Sequence, residues 1–261
     1  MSELPVLYVI CGSHACRTGM LMLEHKGVVY RRVVLRTGPH PLSVRMRGFA
    51  GHREPIRKVE GRTPVPLAML DRGGTVPALR YGSERIQTNR RIARFLDREV
   101  PERPLLPLDP SHRRDVEEAE QWGDELLQMT ARRILLATAA QGLDAIRNRG
   151  RDGRLGPLLA AGERERLLAS RMAGVFFGAR GGTEEELLPA LAGLLDRVDE
   201  WIAVGVLDGA ELNVADFMIT PSLALLGYRA DLAAEMQARP CGALLDRVLP
   251  EPASAGAGAA R

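Results

Sequence analysis

The sequence predicts an α/β half followed by an all-helical half. Apolar, β-branched runs alternate with a helical pattern only in the first hundred residues, whereas apolar residues recur at helical spacing after Ser111. The segment between them, VPERPLLPLDPS at 100–111, is rich in proline and predicts a linker. We therefore predict a first domain at 1–100, a helical domain at 111–250 and a disordered tail at 251–261, which is rich in alanine and glycine.

The first half follows the order strand, helix, strand, hairpin, helix. A strand, a helix and a strand at this spacing form a βαβ unit, which is expected to be parallel and right-handed. A proline-rich crossover at 37–74 comes next and is expected to hold one short helix. The predicted strands cover Val6–Ile10 and 28–35, the helices 14–26 and 88–99, and the hairpin 75–88 with its turn at Gly82.

The second half contains three helix-start signals. Ser111 after Pro110 predicts an N-cap, and the TEEE sequence at 183–186 predicts a capping box with Thr183 at the cap. The sequence LNVAD predicts a third start, and we interpret its Asp216 as a structural capping residue. These signals, with the apolar spacing around them, predict a helical bundle.

Composition excludes several classes of protein. The chain has 261 residues, is 45% hydrophobic and carries a net charge of +3. No apolar run reaches the roughly 18 residues of a membrane span, and the N-terminus lacks the basic start of a signal peptide, so we expect no membrane partner and a cytoplasmic protein. Three cysteines are too few for a disulfide framework, and no Cys/His cluster has zinc spacing, so we expect no metal.

The charge pattern argues against nucleic-acid binding. Basic residues are interspersed with 33 acidic ones along the chain, and the densest basic stretch is 45–62. We interpret this stretch as a solvated face, with an anionic partner as the alternative.

The stretch VICGSHACRTGML at 9–21 places Ser13 and Cys16 three residues apart at a predicted strand-to-helix turn. A thiol redox protein would have cysteine at both positions. Serine at the start of a helix is the usual N-cap residue, and this simple interpretation stays open for Ser13. We interpret Cys16 and Cys11 as buried structural cysteines and His14 as an exposed residue at the helix start.

Four sequence pieces, taken in order, resemble the glutathione transferases. They are SHACRTGMLMLEHKGVVY after the first strand, TVPAL before the third strand, IQTNRRIARFLD at a helix start, and ELNVADFMITPSL in the helical half. Each piece is weak alone, and the ordered set is what carries the resemblance. It implies a thioredoxin-like first domain, a helical second domain that forms an acceptor pocket near 129–136, and a homodimer.

The sequence also departs from that family's pattern. His14 and Ala15 stand where a proline usually follows the active-site serine or cysteine, and the crossover at 37–74 is longer than usual. Asn213 replaces the usual serine or threonine of the capping motif that ends at Asp216, which is a mild change because asparagine also caps helices.

The resemblance implies roles for five residues. Ser13 would donate a hydrogen bond to a thiolate at the N-terminus of the helix, where the dipole also favours negative charge. The Val76–Pro77 peptide would be cis and leave the Val76 backbone to pair with a peptide ligand, whereas the alternative is an ordinary trans proline. Gln87 and Thr88 would receive a carboxylate of that ligand, whereas the alternative is a simple helix cap.

The predicted activity is an S-transferase of the detoxification type, which conjugates a small-molecule thiol to an electrophile. The thiol is a co-substrate, either glutathione or another low-molecular-weight thiol, and no further cofactor is expected. Two alternatives stay open. One is a non-catalytic scaffold or interaction protein with the same fold, and the other is a thiol–disulfide reductase using Cys16.

Overall fold

The computed structural model describes residues 3–51, 73–147, 153–156, 171, 174, 177–179 and 182–252. Its strands are β1 (Val6–Ile10), β2 (Arg31–Leu35), β3 (Ala78–Tyr81) and β4 (Glu84–Gln87). Its helices are α1 (His14–His25), α2 (His40–Arg45), α3 (Asn89–Glu99), α4 (Pro110–Trp122), α5 (Gln128–Gln141), α6 (Thr183–Ala203), α7 (Val214–Leu226), α8 (Ala230–Gln237) and α9 (Pro240–Val248). A π-helical turn, Gly123–Leu127, joins α4 to α5.

The four strands form one mixed sheet in the order β2-β1-β3-β4. β1 and β2 are parallel, with Val6 opposite Arg31, as the βαβ prediction requires. β3 is antiparallel to both β1 and β4. Among the residues that the structure describes, every strand lies before Thr88, so the second half is helical as predicted.

The sheet is covered on both faces. One face packs into a continuous core with α1, α3 and the helical half, and buried members of that core include Leu7, Leu79 and Ile92. The other face packs a smaller cluster in which Tyr8 meets Phe49 edge-on at 5.7 Å between ring centroids. Because α1 packs directly against α7, the helical half lies against the helix that begins at Ser13.

The proline-rich segment between α3 and α4 is tightly packed, although the sequence suggested a simple linker. Leu105 and Leu106 are buried, and their backbone N–H groups donate to the Asp97 carboxylate at 2.8 and 3.0 Å. The Leu105 carbonyl accepts a hydrogen bond from Val214 N at 2.8 Å, at the start of α7. This segment therefore holds the two halves together, while their division into separate domains stays a prediction.

A buried lysine secures the same segment. The side chain of Lys26 is 0% exposed, and its Nζ lies 2.6 Å from Asp97 Oδ1. It also donates to the carbonyls of Val100 and Glu102, at 2.7 and 3.1 Å. All three ammonium protons thus have an acceptor, which is what a buried lysine requires.

Two of the three predicted helix starts are wrong by one or two residues. Asp109, not Ser111, caps α4, because Pro110 takes the first helical position and leaves the cap to the residue before it. Gly182, not Thr183, precedes α6; its left-handed φ of 87° suits glycine, so the helix begins at Thr183 itself.

The third predicted start is confirmed. Asn213 caps α7 through its side chain, and the Asp216 carboxylate accepts from Asn213 N and from Asp208 N, both at 2.8 Å. Burial raises the pKa of Asp216 to about 6. The hydrogen bonds from the two backbone N–H groups lower this pKa, but the effect of burial is larger. Asp216 is therefore structural, as interpreted from the sequence.

Parts of the predicted organisation lie outside the described residues, namely 52–72 of the crossover and 253–261 of the tail. The one short helix expected in the crossover is α2, which falls within the described part. Of the described helices, none combines the length and apolar character that crossing a bilayer requires.

Candidate functional site

The predicted site residues meet at one edge of the sheet. Ser13 follows the end of β1, and Gln87 and Thr88 mark the end of β4, while Val76 and Pro77 precede the start of β3. Because β3 runs antiparallel to both neighbours, Ala78 at its start pairs with Tyr8 on one side and Gln87 on the other. The topology thus brings the end of β1, the start of β3 and the end of β4 together at this edge.

Ser13 is the N-cap of α1. Its Oγ accepts a hydrogen bond from Cys16 N at 3.3 Å, and it lies within hydrogen-bonding reach of the Cys16 thiol. Gly12 makes the turn from β1 with a left-handed φ of 65°. The serine is partly exposed, and a hydroxyl that accepts one bond still has its proton to donate. The cap interpretation is therefore correct, and it leaves the donor role open as a prediction.

The Val76–Pro77 peptide is cis, as the resemblance implied, and the trans alternative is wrong. Pro77 packs closely on α1 at Gly19, where a Cβ would lie 3.2 Å from Pro77 Cγ and 3.3 Å from Asn89 Oδ1. Because glycine has no Cβ, α1 can pack closely at Gly19 against the cis peptide and the start of α3.

The Gln87 side chain forms hydrogen bonds to the main chain of two other segments. Its Oε1 accepts from Gly51 N at 2.9 Å, and its Nε2 donates to the Thr75 carbonyl at 3.0 Å. It therefore ties the end of β4 to the crossover and to the residue before the cis peptide. Whether Gln87 also contacts a ligand carboxylate stays a prediction.

Thr88 has a strained backbone. It precedes α3 with φ 69° and ψ 144°, a conformation that favours glycine, and its side chain makes no capping bond. Thr88 thus occupies the N-cap position of α3, as the simple-cap alternative holds, but without a side-chain capping bond. Backbone strain of this kind concentrates at ligand sites, where the surrounding structure holds it.

Asn89 is a site residue that the sequence reasoning missed. It is buried, and its Nδ2 donates to the Ala15 carbonyl at 2.9 Å, which joins the start of α3 to the start of α1. Its Oδ1 is buried with no hydrogen-bond partner. An amide directly after the Gln87–Thr88 pair was the signal that could have identified it.

The helical half meets the start of α1 through His14. This residue is 4% exposed, so the expectation of an exposed histidine is wrong, and its Nε2 lies 3.3 Å from the Gln128 carbonyl at the start of α5. The packing of α5 over the turn buries it. Burial, followed by the Arg132 charge, holds the pKa of His14 well below its usual range, so the ring is neutral and suited to a structural contact.

The predicted acceptor wall at 129–136 is divided between buried and partly exposed positions. Ala131, Ile134 and Leu135 are buried in the core, whereas Met129, Arg132 and Leu136 are partly exposed. The last three recur at helical spacing, so they share one face of α5. Arg132 on this face is a further residue that the apolar pattern could not reveal.

The three thiols differ in accessibility. Cys16 is 2% exposed and Cys241 is fully buried, whereas Cys11 is partly exposed. Burial raises the pKa of Cys16 to about 11 and that of Cys241 to about 12. Because the thiolate is the reactive form, Cys16 is unsuited to redox chemistry, which argues against the reductase alternative. The interpretation of Cys16 as a buried residue is confirmed, whereas the same interpretation of Cys11 is wrong, because Cys11 is partly exposed.

We expect a disulfide reagent such as Ellman's to titrate one thiol, that of Cys11, in the native protein and all three after denaturation. A Cys11→Ser variant should lose the native reaction, whereas Cys16→Ser should keep it. Rapid native labelling of Cys16, identified by peptide mass mapping, would contradict this assignment.

A cavity of about 60 Å³ in the helical half lies apart from this sheet edge. Its polar lining is already engaged: Arg154 pairs with Asp246 at 2.5 Å, and the Tyr228 hydroxyl donates to the Gly156 carbonyl at 2.9 Å. These contacts are internal to the fold, so the cavity does not compete with the sheet edge as a candidate site.

The sequence matches no protein-family model and no curated protein. The structure, however, is similar to solved ones. The β-etherase LigF from Sphingobium sp. strain SYK-6 is 18% identical, with a TM-score of 0.61 over 94% of this chain and 95% of that one. A glutathione S-transferase III in its apo form is 16% identical, with a TM-score of 0.59 over 94% and 91% of the two chains.

A third structure, a glutathione S-transferase of Ceriporiopsis subvermispora in complex with glutathione, is 15% identical, with a TM-score of 0.56 over 95% of this chain and 97% of that one. The chain has the glutathione S-transferase fold. The predicted α/β half followed by a helical half is therefore confirmed. At these identities the likeness shows the glutathione S-transferase fold and leaves the activity to be argued from the site.

Proposed function

We propose that the protein is a transferase that conjugates glutathione, or a related low-molecular-weight thiol, to an electrophilic small molecule. The observation that carries the proposal is the placement of Ser13. Its hydroxyl is partly exposed at the N-terminus of a 12-residue helix, at the sheet edge where the cis Val76–Pro77 peptide and the strained Thr88 also lie.

Ser13 would act as a hydrogen-bond donor in this reaction. A thiol that binds at the start of α1 ionises more readily, because the hydroxyl and the helix dipole stabilise the thiolate. The thiolate then attacks the electrophile, and the serine itself forms no covalent bond. One of the solved structures with this fold is a complex with glutathione, which supports a thiol as the ligand.

The rest of the thiol ligand would be held by its backbone and a carboxylate. In the proposal the Val76 main chain pairs with the ligand backbone, and Thr88 with the start of α3 receives the carboxylate. Gln87 supports them through its contacts with Gly51 and Thr75. A homodimer in the cytoplasm is part of the same proposal and rests on the family likeness and the composition alone.

The alternative is a non-catalytic protein that keeps the fold. It is favoured by the absence of the usual proline at His14 and Ala15, and by the engagement of the Gln87 amide in main-chain contacts. The two functions differ in a simple respect, since only the enzyme must both bind the thiol and transfer it.

Calorimetric titration with glutathione, followed by conjugation to chlorodinitrobenzene, tests the proposal. We expect binding and turnover in the wild type and about tenfold weaker binding in Thr88→Val, because a hydrogen bond to a carboxylate is lost. Thr37→Val, at an exposed position, is the matched control and should bind as the wild type does. Binding without turnover would favour the scaffold, and no binding of any small thiol would refute the proposal.

A further inference from the structure

Three segments of the candidate site meet at one buried point. Gly19 of α1 lies so close to the other two that a Cβ would be 3.2 Å from Pro77 Cγ and 3.3 Å from Asn89 Oδ1. Pro77 belongs to the cis peptide, and Asn89 is the first residue of α3. The helix that begins after Ser13, the cis peptide and α3 are therefore packed directly against one another.

Asn89 supplies a hydrogen bond that joins two of these segments. Its Nδ2 donates to the Ala15 carbonyl at 2.9 Å, across 74 residues of chain. Ala15 lies in the first turn of α1, two residues after Ser13, and Asn89 directly follows Thr88. The bond thus connects the turn that carries the Ser13 hydroxyl to the residue that would receive the ligand carboxylate.

The Asn89 amide adds little to the net stability of the fold. It is 4% exposed, and no atom in the described part of the chain forms a hydrogen bond with its Oδ1. A buried carbonyl oxygen without a partner costs about as much as one hydrogen bond contributes, so the two effects nearly cancel. The Ala15 carbonyl does not require this donor, because a helix carbonyl accepts from the N–H four residues on. Buried polar groups of this kind are concentrated at functional sites.

We propose that Asn89 is a positioning residue of the thiol site, which fixes the start of α1 relative to the start of α3. The inference rests on the proposed function. A ligand whose carboxylate is held at Thr88 brings its thiol to the Ser13 hydroxyl only if the distance between these two residues matches the ligand. Asn89 sets this distance through the Ala15 carbonyl and contacts neither end of the ligand itself.

A positioning role and a purely structural role predict opposite results. Replacement of a structural amide lowers the midpoint of thermal unfolding and leaves the kinetics of the folded protein unchanged. Replacement of a positioning residue lowers kcat, because a thiol displaced by about 1 Å loses much of its rate. It also raises the pKa of the bound thiol, since the Ser13 hydroxyl stabilises the thiolate less well.

The test is Asn89→Leu in the full chain, because leucine is similar in size and lacks both the donor and the unpaired oxygen. We expect an unchanged or higher unfolding midpoint. With glutathione and chlorodinitrobenzene, kcat should fall roughly tenfold while the KM for chlorodinitrobenzene stays the same. The pKa of the bound glutathione thiol, followed by its ultraviolet absorbance, should rise. Asn89→Ala should show the same kinetic loss with a lower midpoint, and it serves if the leucine variant does not fold.

The matched control is Asn213→Ser. Asn213 is also buried, and its Nδ2 donates to the Val206 carbonyl at 2.8 Å, a bond that serine loses while it keeps the helix cap. It lies at the start of α7, which meets the far end of α1 through the rings of His25 and Phe217. We expect a lower unfolding midpoint, with kcat and thiol pKa as in the wild type.

The possible outcomes separate this inference from the proposed function. A wild type that conjugates glutathione, with Asn89 variants of equal kcat and equal thiol pKa, overturns the inference alone. An equal kinetic loss in Asn213→Ser overturns it as well, because any buried amide would then have the same effect. Binding without conjugation, with a thiol pKa that rises in the Asn89 variants, supports the positioning role and refutes the transferase. A wild type that binds no thiol refutes both.

Discussion

Replacing Ser13 with alanine is expected to lower the turnover of thiol conjugation by roughly 10- to 1000-fold, the scale of losing one preorganised donor to a developing anion. The thiol should still bind, because the Val76 backbone and the start of α3 hold the rest of the ligand. The pH profile of kcat/KM should shift to higher pH, since the bound thiol would ionise less readily.

The cap role of Ser13 predicts a different result. Loss of the Oγ contact with Cys16 N should cost about 1 kcal/mol of stability and leave the pH profile unchanged. Ser13→Thr retains both a cap and a donor and is the control for the alanine variant. A stable alanine variant with full activity and an unmoved pH profile would make Ser13 a cap and nothing more.

Replacing Lys26 with methionine is expected to cost about 3 to 5 kcal/mol in the free energy of unfolding, as breaking a buried ion pair does. Methionine has similar length and fills the space, but it leaves Asp97 without its cation. It also leaves the Val100 and Glu102 carbonyls without their donor. Chemical denaturation followed by circular dichroism measures the loss.

The matched control is Arg98→Ala. Arg98 and Glu99 form an exposed ion pair at 2.8 Å on α3, the helix that also carries Asp97. We expect this change to cost less than about 1 kcal/mol. Equal losses in the two variants would show that the Lys26 contacts add nothing beyond a surface pair, and that the segment between α3 and α4 is held mainly by burial of Leu105 and Leu106.

Features that depend on local chemistry were predictable from the sequence. The hairpin turn at Gly82 and the Asn213–Asp216 capping box follow from residue types at short spacing, and both are present. The cis Val76–Pro77 peptide was predictable only through the family resemblance. The caps at Asp109 and Gly182 were missed because the neighbouring Ser111 and Thr183 are equally good capping residues.

Contacts across the fold could not be read from the sequence. His14 meets Gln128 over 114 residues of chain, and nothing near His14 distinguishes it from an exposed histidine. Nothing near Lys26 in the sequence indicates that it is buried, because its partner Val100 lies 74 residues further along the chain. The position of Arg132 likewise depends on how α5 packs against α6 and α7, which no periodicity specifies.

The central claim, that the start of α1 activates a thiol, is tested most directly by the ionisation of that thiol when bound. The thiolate absorbs in the ultraviolet, so a pH titration of the glutathione complex reports its pKa, with the S-methyl derivative as the blank. We predict a pKa at least one unit below the value of about 8.5 for a free cysteine thiol in the wild type, and a rise towards that value in Ser13→Ala. A bound thiol that titrates as the free one does, in both proteins, would contradict the account.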